Sequence, residues 1–413
     1  MSVRQPDFDV VVIGGGPAGL SAATELRRLG VKKVMVIDRE SEAGGIPRHC
    51  FHPGFGLRDL HRSMSGPRYG EELVRRARRA GVELALSTTV TDVSEVGRVS
   101  VTSRSGITQF DARSILLATG ARERPRSARL VPGDRAPGVF TTGQLQQWVY
   151  LKKLAVGATA LIVGAEHVSF SAMLTLRHAG VTTVALTTEL DRHQSVALAP
   201  LFARMVVGVP VWTNQRVVEI SGRGRVSSVL LQDVRTGATR RVNVDTVVFT
   251  GDWIPDQELA RRLTMDINAG TSGPSTDLGG RTSLAPFYAA GNLVHPVETA
   301  DVAALRARDI ARHLAHDLDR GGRSNETALN VVVEKPLTWV WPNRIDHSSR
   351  TVNLAMRIGD FDSRKGLVLR QGGLILGRAK VGVVKANRSM SVQFTLRSGI
   401  DQDGGSLTVA LEG

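Results

Sequence analysis

Close to its start the chain runs through an apolar stretch, residues 9–13, into Gly14-Gly15-Gly16-Pro17-Ala18-Gly19 and then a helical segment ending near Gly30. A second apolar stretch, 33–37, closes on Asp38, 19 residues past Gly19. Short runs that are apolar on both faces belong to buried parallel strands, and a parallel pair requires a crossover, here the helix. Gly14 permits the tight turn, Gly16 lets backbone approach a pyrophosphate, and Gly19 allows close helix–strand packing. The helix N-terminus offers unsatisfied N–H groups and a positive dipole end to the phosphates. Asp38 is placed to accept hydrogen bonds from ribose hydroxyls and repels a 2′-phosphate, so the expected ligand carries an AMP moiety without that group.

The pattern returns about 150 residues later. An apolar stretch at 158–163 leads into Gly164-Ala165-Glu166-His167-Val168-Ser169, a helix to about His178 and a strand at 183–186. With 413 residues the chain exceeds what one core usually supports. The expected fold class is therefore α/β, with two Rossmann-like three-layer domains and a small C-terminal all-β domain. Expected boundaries are 1–121 and 245–320 for a discontinuous first domain, 122–244 for an inserted second one and 328–413 for the β domain. The stretch 319–325 reads as a linker, and the alternating strands beyond it suggest a small sandwich. A helix over 298–317 repeats Val302, Leu305, Ile310 and Leu314 at helical spacing.

Composition narrows the partners. The net charge of +14 is mostly arginine, 45 of 53 cationic residues, yet no groove-reading or base-stacking module accompanies it, so a nucleic-acid partner is not expected. An anionic partner or peripheral membrane contact remains an alternative. No run of 18 apolar residues exists; the best candidate, 196–211, is broken by Pro200, Arg204 and Pro210. No secretory signal is legible, and a cytoplasmic location is expected. The single Cys50 excludes an intrachain disulfide, a Cys-based zinc site and a cysteine-ligated iron–sulfur cluster, and no metal is expected.

The glycine fingerprint with Asp38, the pair Gly44-Gly45, the segment Ala118-Thr119-Gly120, and Tyr288-Ala289-Ala290-Gly291-Asn292 together resemble the two-dinucleotide-binding-domain flavoproteins, which include the pyridine nucleotide–disulfide oxidoreductases. The resemblance covers about residues 8–320. It implies FAD in the first domain, held by Gly14, Gly16, Pro17, Ala18, Gly19, Asp38, Arg39, Gly45, Val90, Ala118, Thr119, Gly120, Gly291 and Asn292. The helix beginning at Glu298, Thr299 and Ala300 would point its N-terminus at the flavin ring. Gly45-Ile46-Pro47-Arg48-His49-Cys50 and the segment from Gly291 to Thr299 look like a subgroup containing the flavin subunits of hydrogen cyanide synthase, opine oxidase and dye-linked proline dehydrogenase. Related flavoproteins accompany glycerol-3-phosphate dehydrogenases. This implies two-electron oxidation of a small amine, amino acid or polyol, shared in some relatives with a second flavoprotein subunit.

Four departures modify that expectation. The family's reductases place two cysteines five residues apart just after Gly-Gly; here those positions are Pro47 and His52, with Cys50 between them. A packed Cys50 is the expectation, and a single redox thiol near Arg48 and His49 the alternative. In the second fold Glu166 replaces the glycine that makes room for pyrophosphate and Ser169 the third glycine, which disfavours NAD(P)H binding, although Glu189 at the end of the second strand keeps it open. Asn292 stands where the family usually has Asp; it retains the capacity to bond a ribityl hydroxyl. The Cys-rich module of some relatives is absent. Candidate catalytic groups are Arg48 (or Arg58) as a carboxylate clamp, and His52, His49 or His295 as proton acceptor. Solvated loop residues are the alternative for each.

Overall fold

A computed structural model describes residues 5–195, 208–296, 298–322, 328–359, 366–381 and 389–412. Of the sequence expectations, the apolar run at 196–211 up to residue 207, Val297, and residues 323–325 of the linker lie outside the described residues. The chain divides into two compact units, one made of Met1–Arg48, Pro53–Ala121 and Pro255–Gly413, the other of His49–His52 and Arg122–Ile254.

The first unit opens with strand β1 (Phe8–Ile13), helix α1 (Pro17–Arg28), and strands β2 (Val34–Ile37), β3 (Glu83–Ala85), β4 (Thr89–Val93), β5 (Arg98–Ser103) and β6 (Gly106–Leu117). β1 pairs in parallel with β2 and β6, β3 extends the sheet beyond β2, and strand Phe287–Ala289 extends it beyond β6. β4, β5 and the start of β6 form an antiparallel meander. Val10, Val11, Val12, Leu116 and Ala289 are fully buried, as strands covered on both faces require.

α1 packs against the long helix Ala300–Asp319. The leucine-and-valine stripe expected there is only half right: Ile310 and Leu314 are buried, but Leu305 is 37% exposed, and Ala303, Ala304, Ala307, Ala311 and Ala315 supply most of the buried face. Small side chains let two helices approach closely, so an alanine face buries well without looking hydrophobic in a sequence.

The described residues between 328 and 412 build a five-stranded and a three-stranded sheet around a core that includes Val331, Leu354, Met356, Leu369 and Phe394. They do not stand apart as the separate domain expected at 328–413. Trp339, Trp341 and Ala355 join the core of the nucleotide fold, and Trp341 Nε1 donates to Thr276 Oγ1 at 2.9 Å.

In the second unit, strands Val139–Thr141, Thr159–Val163, Thr182–Thr187, Val211–Trp212 and Thr246–Phe249 form a parallel five-stranded sheet. A three-stranded antiparallel sheet spans Gln215–Ser221, Ser228–Asp233 and Thr239–Asn243. The boundary expected at 244/245 moves to 254/255, because Thr246–Phe249 pairs in parallel with Thr159–Val163. Residues His49–His52, expected with the first domain, also fall in this unit.

Candidate functional site

The first glycine loop is shaped by backbone contacts that only glycine tolerates. Gly14 has φ of +113°, and a Cβ there would stand 2.3 Å from the Ala118 carbonyl oxygen; one on Gly19 would stand 1.9 Å from the Gly14 oxygen. Gly16 differs. The nearest atom to a Cβ at Gly16 would be the Gly45 Cα at 3.9 Å, so its lack of a side chain serves space above the loop, not packing within the chain. Gly16 is also the N-cap of α1, with Pro17 in the first turn and no side chain capping the N–H groups. That open cradle at a helix N-terminus fits a pyrophosphate.

Asp38 is held rigidly beside it. Its Oδ2 accepts the Gly15 N–H at 2.7 Å and its Oδ1 the Glu40 N–H at 2.9 Å, while its remaining lone pairs are available to ribose hydroxyls. Gly44 N–H donates to the Gly15 oxygen at 2.7 Å, which seats the Gly44-Gly45 turn against the loop. Ala118 N–H donates to the Ile13 oxygen, Thr119 Oγ1 to the Asp256 oxygen, and Asp256 N–H to the Gly120 oxygen. Arg39 lies exposed, 3.6 Å from Asp256, and Val90 is half-buried on β4 opposite Val101. A Cβ on Gly291 would stand 2.7 Å from the Ala18 Cβ, so the late segment meets α1 at its first turn. The structure therefore gathers Gly14 through Gly19, Asp38, Gly45, Ala118 and Gly291 around one cradle, and these residues fit the AMP and diphosphate of FAD.

Asn292 is also engaged within the chain. Its Oδ1 accepts the Glu298 N–H at 2.9 Å and its Nδ2 donates to the Glu298 oxygen at 3.3 Å. An amide can make both bonds, whereas an aspartate could only accept, so Asn292 ties the 292–298 turn to the start of helix Ala300–Asp319. Thr299 is the N-cap of that helix but makes no capping bond to its backbone; its hydroxyl bonds Asp301.

The second loop repeats the first with one decisive change. Gly164 N–H donates to Thr187 as Gly14 N–H does to Ile37, and Glu166, like Gly16, is the N-cap of its helix. Glu166 Oε2 accepts the Ala165 N–H at 3.0 Å, and Ser169 Oγ accepts the Glu166 N–H while sharing a 2.7 Å bond with Thr250. A carboxylate of the chain itself thus stands at the N-cap, where the first loop has Gly16.

The candidate catalytic groups are corrected by their surroundings. Arg48 donates to Glu42 at 2.9 Å and lies 3.9 Å from Glu40, so its guanidinium already has carboxylate partners and is not an open clamp. Arg58 is exposed, and its backbone N–H bonds Asp301. His52 is half-buried and falls in the second unit with His49, whose Nδ1 lies 3.3 Å from Gln146. Cys50 is buried, bonded to Gln146, and its thiol is pushed up to about 12 by burial and then by Glu123. At neutral pH it stays protonated, which removes the thiolate chemistry left open by the sequence. His295 is only 2% exposed; burial and then Arg306 and Arg357 hold it neutral, well below its usual 6.5.

Arg306, Trp339, Trp341 and Arg357, which surround His295, were missed in the sequence. Arg306 sits on helix Ala300–Asp319, but the two tryptophans and Arg357 come from β strands far downstream, and no local pattern marks them. Glu123 was missed as well; it accepts the Gly143 N–H at 2.7 Å, and burial pushes the pKa of its carboxyl up.

Among the described residues no helix is long and apolar enough to cross a membrane. Residues 8–307 match the family model for pyridine nucleotide-disulphide oxidoreductases. Among curated proteins, the chain is 27% identical over 300 residues to a thioredoxin reductase of Treponema pallidum, covering 70% of this chain and 90% of that one. It is 28% identical over 343 residues to an opine oxidase subunit of Rhizobium meliloti, covering 76% and 72%. Among solved structures, T. acidophilum thioredoxin reductase superposes with a TM-score of 0.64 at 20% identity, covering 76% of this chain and 100% of that chain.

Proposed function

The chain belongs to the pyridine nucleotide-disulphide oxidoreductase family, whose members bind FAD and often NAD(P)H, and from that membership we propose that it is an FAD-dependent dehydrogenase, or the flavin subunit of one, acting on a small polar metabolite. Its substrate is an amino acid, amine or polyol, and its electrons leave to a non-nicotinamide acceptor such as a partner flavoprotein, a quinone or a dye. When bound, FAD supplies the two-electron oxidant, taking hydride at N5.

The observation that carries this reading is the contrast between the two glycine loops. Gly16 leaves the first helix N-terminus open, whereas Glu166 fills the second with the chain's own carboxylate. With one cysteine, a dithiol relay within the chain is unavailable. Gly14, Gly16 and Asp38 bind the AMP and diphosphate end. The start of helix Ala300–Asp319 would offer partial positive charge to a flavin ring held beside it, where reduced flavin carries negative charge. The resemblance to an opine oxidase component, itself named as one subunit, supports a partner chain.

The test is anaerobic mixing of the FAD-loaded protein with amino acids, amines and polyols, and separately with NADH and NADPH. Bleaching by a member of the first panel is expected. Fast bleaching by either reduced nicotinamide would favour the second reading, an NAD(P)H-dependent flavin reductase, which the 27% identity to a thioredoxin reductase supports.

A further inference from the structure

Beside the turn that leads into helix Ala300–Asp319 lies a stack of buried side chains whose apolar rings belong to the core but whose polar atoms packing does not explain. The His295 ring stacks on Trp339 with centroids 5.1 Å apart and also meets Trp341 at 5.2 Å. The Arg357 guanidinium lies 5.4 Å from the Trp339 ring centroid, and that of Arg306 lies 4.8 Å from the Trp341 centroid. Arg306 Nη1 reaches His295 Nε2 at 2.5 Å, and Arg357 Nη2 donates to the Pro296 oxygen at 3.2 Å. Because a guanidinium only donates, His295 Nε2 is the acceptor, and the ring proton is assigned to Nδ1.

Among the described residues, three N–H donors in this stack are buried with no acceptor: His295 Nδ1, Trp339 Nε1 and Arg357 Nε. Buried donors are nearly always satisfied, and three orphans in one cluster mark a missing acceptor. Charge points the same way. Two guanidiniums face one carboxylate, Glu298, which lies 3.8 Å from Arg306 and accepts the Ser389 hydroxyl at 2.7 Å. Burial lowers the pKa of both arginines, and Glu298 alone among the described carboxylates acts against it. A group that accepts several N–H bonds and brings one negative charge would complete the cluster. Arg306 keeps 22% of its side chain exposed, so the stack is not sealed.

We infer that His295, Trp339, Arg306 and Arg357 form the subsite for the carboxylate of the substrate, which makes that substrate an amino acid and not a simple amine or a polyol. This rests on the dehydrogenase reading above. The subsite adjoins the helix start assigned to the flavin ring, so a molecule anchored by its carboxylate there presents its α-carbon toward that end. His295, being neutral and hydrogen-bonded, positions the carboxylate and does not act as the base.

The experiment uses the FAD-loaded full chain. Acetate is titrated against tryptophan fluorescence and flavin absorbance, with acetamide as the neutral isostere, for wild type, Arg357→Gln and Trp339→Phe. Then the amino-acid panel is scored by anaerobic bleaching. Saturable binding of acetate but not acetamide is expected, weakened about 10–100-fold in Arg357→Gln and less in Trp339→Phe, which removes one donor and keeps a ring. KM for the reactive amino acid should rise in step while flavin content and melting temperature hold. Wild type that does not bind acetate, or binds acetamide equally, overturns the proposal even if amino acids bleach the flavin. So does undiminished acetate binding in both variants. Acetate binding that Arg357→Gln weakens, with bleaching by polyols or amines alone, overturns the substrate assignment and leaves the dehydrogenase reading standing; no bleaching by any panel member removes both.

Discussion

Replacing Glu166 with glycine should open the second nucleotide fold to a reduced nicotinamide. In the folded chain Glu166 Oε2 holds the Ala165 N–H at 3.0 Å, and the carboxylate lies 2.9 Å from where a Gly164 Cβ would stand and 2.5 Å from a Gly251 Cβ position. A diphosphate using the same N–H would place an oxygen about 3 Å from that nitrogen, bringing two like charges within about 5 Å. At an effective dielectric near 20 that repulsion is about 3 kcal/mol, equivalent to a factor of roughly 200 in Kd. The carboxylate must also surrender its own hydrogen bond to make room, which adds to the barrier. Glycine is tolerated as an N-cap at a cost of about a few tenths of a kcal/mol, so the fold should survive.

The assay is stopped-flow bleaching of the flavin against NADH and NADPH concentration, with Kd from nucleotide fluorescence and a thermal melt on the same samples. Glu166→Gly should bind one or both nucleotides about two orders of magnitude more tightly than wild type. Glu166→Gln, which removes the charge and keeps the bulk, should recover only part of that gain. A folded, FAD-loaded Glu166→Gly protein with wild-type nucleotide affinity would refute the reasoning that this carboxylate is the barrier.

Three shorter expectations concern the first unit and the cysteine. Gly16→Ala should fold with a near-native melt yet lose most of its flavin absorbance, because its Cβ meets nothing closer than 3.9 Å; Gly14→Ala and Gly19→Ala should lose both, since theirs would stand 2.3 Å and 1.9 Å from carbonyl oxygens. Cys50 should react with a thiol reagent at about pH 8 only after denaturation, its thiol being pushed to about 12, and Cys50→Ala should leave flavin content unchanged. The folded-state pKa of His295 lies well below 6.5, so below pH 6.5 the unfolded chain takes up a proton that the native state does not. Stability of the wild type should therefore fall there by up to about 1.4 kcal/mol per pH unit from this group, and His295→Asn should show a shallower slope in denaturant melts across roughly pH 5–7.

What could be read from the sequence was whatever is encoded locally. The strand–glycine–helix–strand units were legible because burial on both faces, tight turns and cradle space act on neighbouring residues, and the turn at Gly14 and the close packing at Gly19 are those their spacing implied. The domain boundary was misplaced because strand Thr246–Phe249 owes its position to long-range pairing with Thr159–Val163, which no run of apolar residues announces. Arg48 looked like an open clamp because nothing in the local pattern pairs it with Glu42, six residues earlier. His295 looked like an accessible base because the side chains that bury it, Trp339 and Trp341, arrive from a strand far downstream.

The two loops of this chain form an internal comparison that bears on both nucleotide folds. In each, a glycine with positive φ receives the chain from the first strand, its N–H donates to the end of the second strand, and the residue two places on caps the helix. The backbone design is the same, and the two loops differ in what stands at the cap. A helix N-terminus carries unmet N–H groups and partial positive charge, and something must answer them: a side chain, water or a ligand. At Gly16 no side chain does, and the demand falls on the ligand. At Glu166 the carboxylate accepts the Ala165 N–H just ahead of the helix, Ser169 Oγ accepts the Glu166 N–H, and Ser169 and Thr250 share a hydrogen bond behind them. On the proposed reading, a fold built twice keeps its backbone architecture in both copies, while in the second the chain's own side chains take N–H groups beside the cap that the first leaves to a ligand.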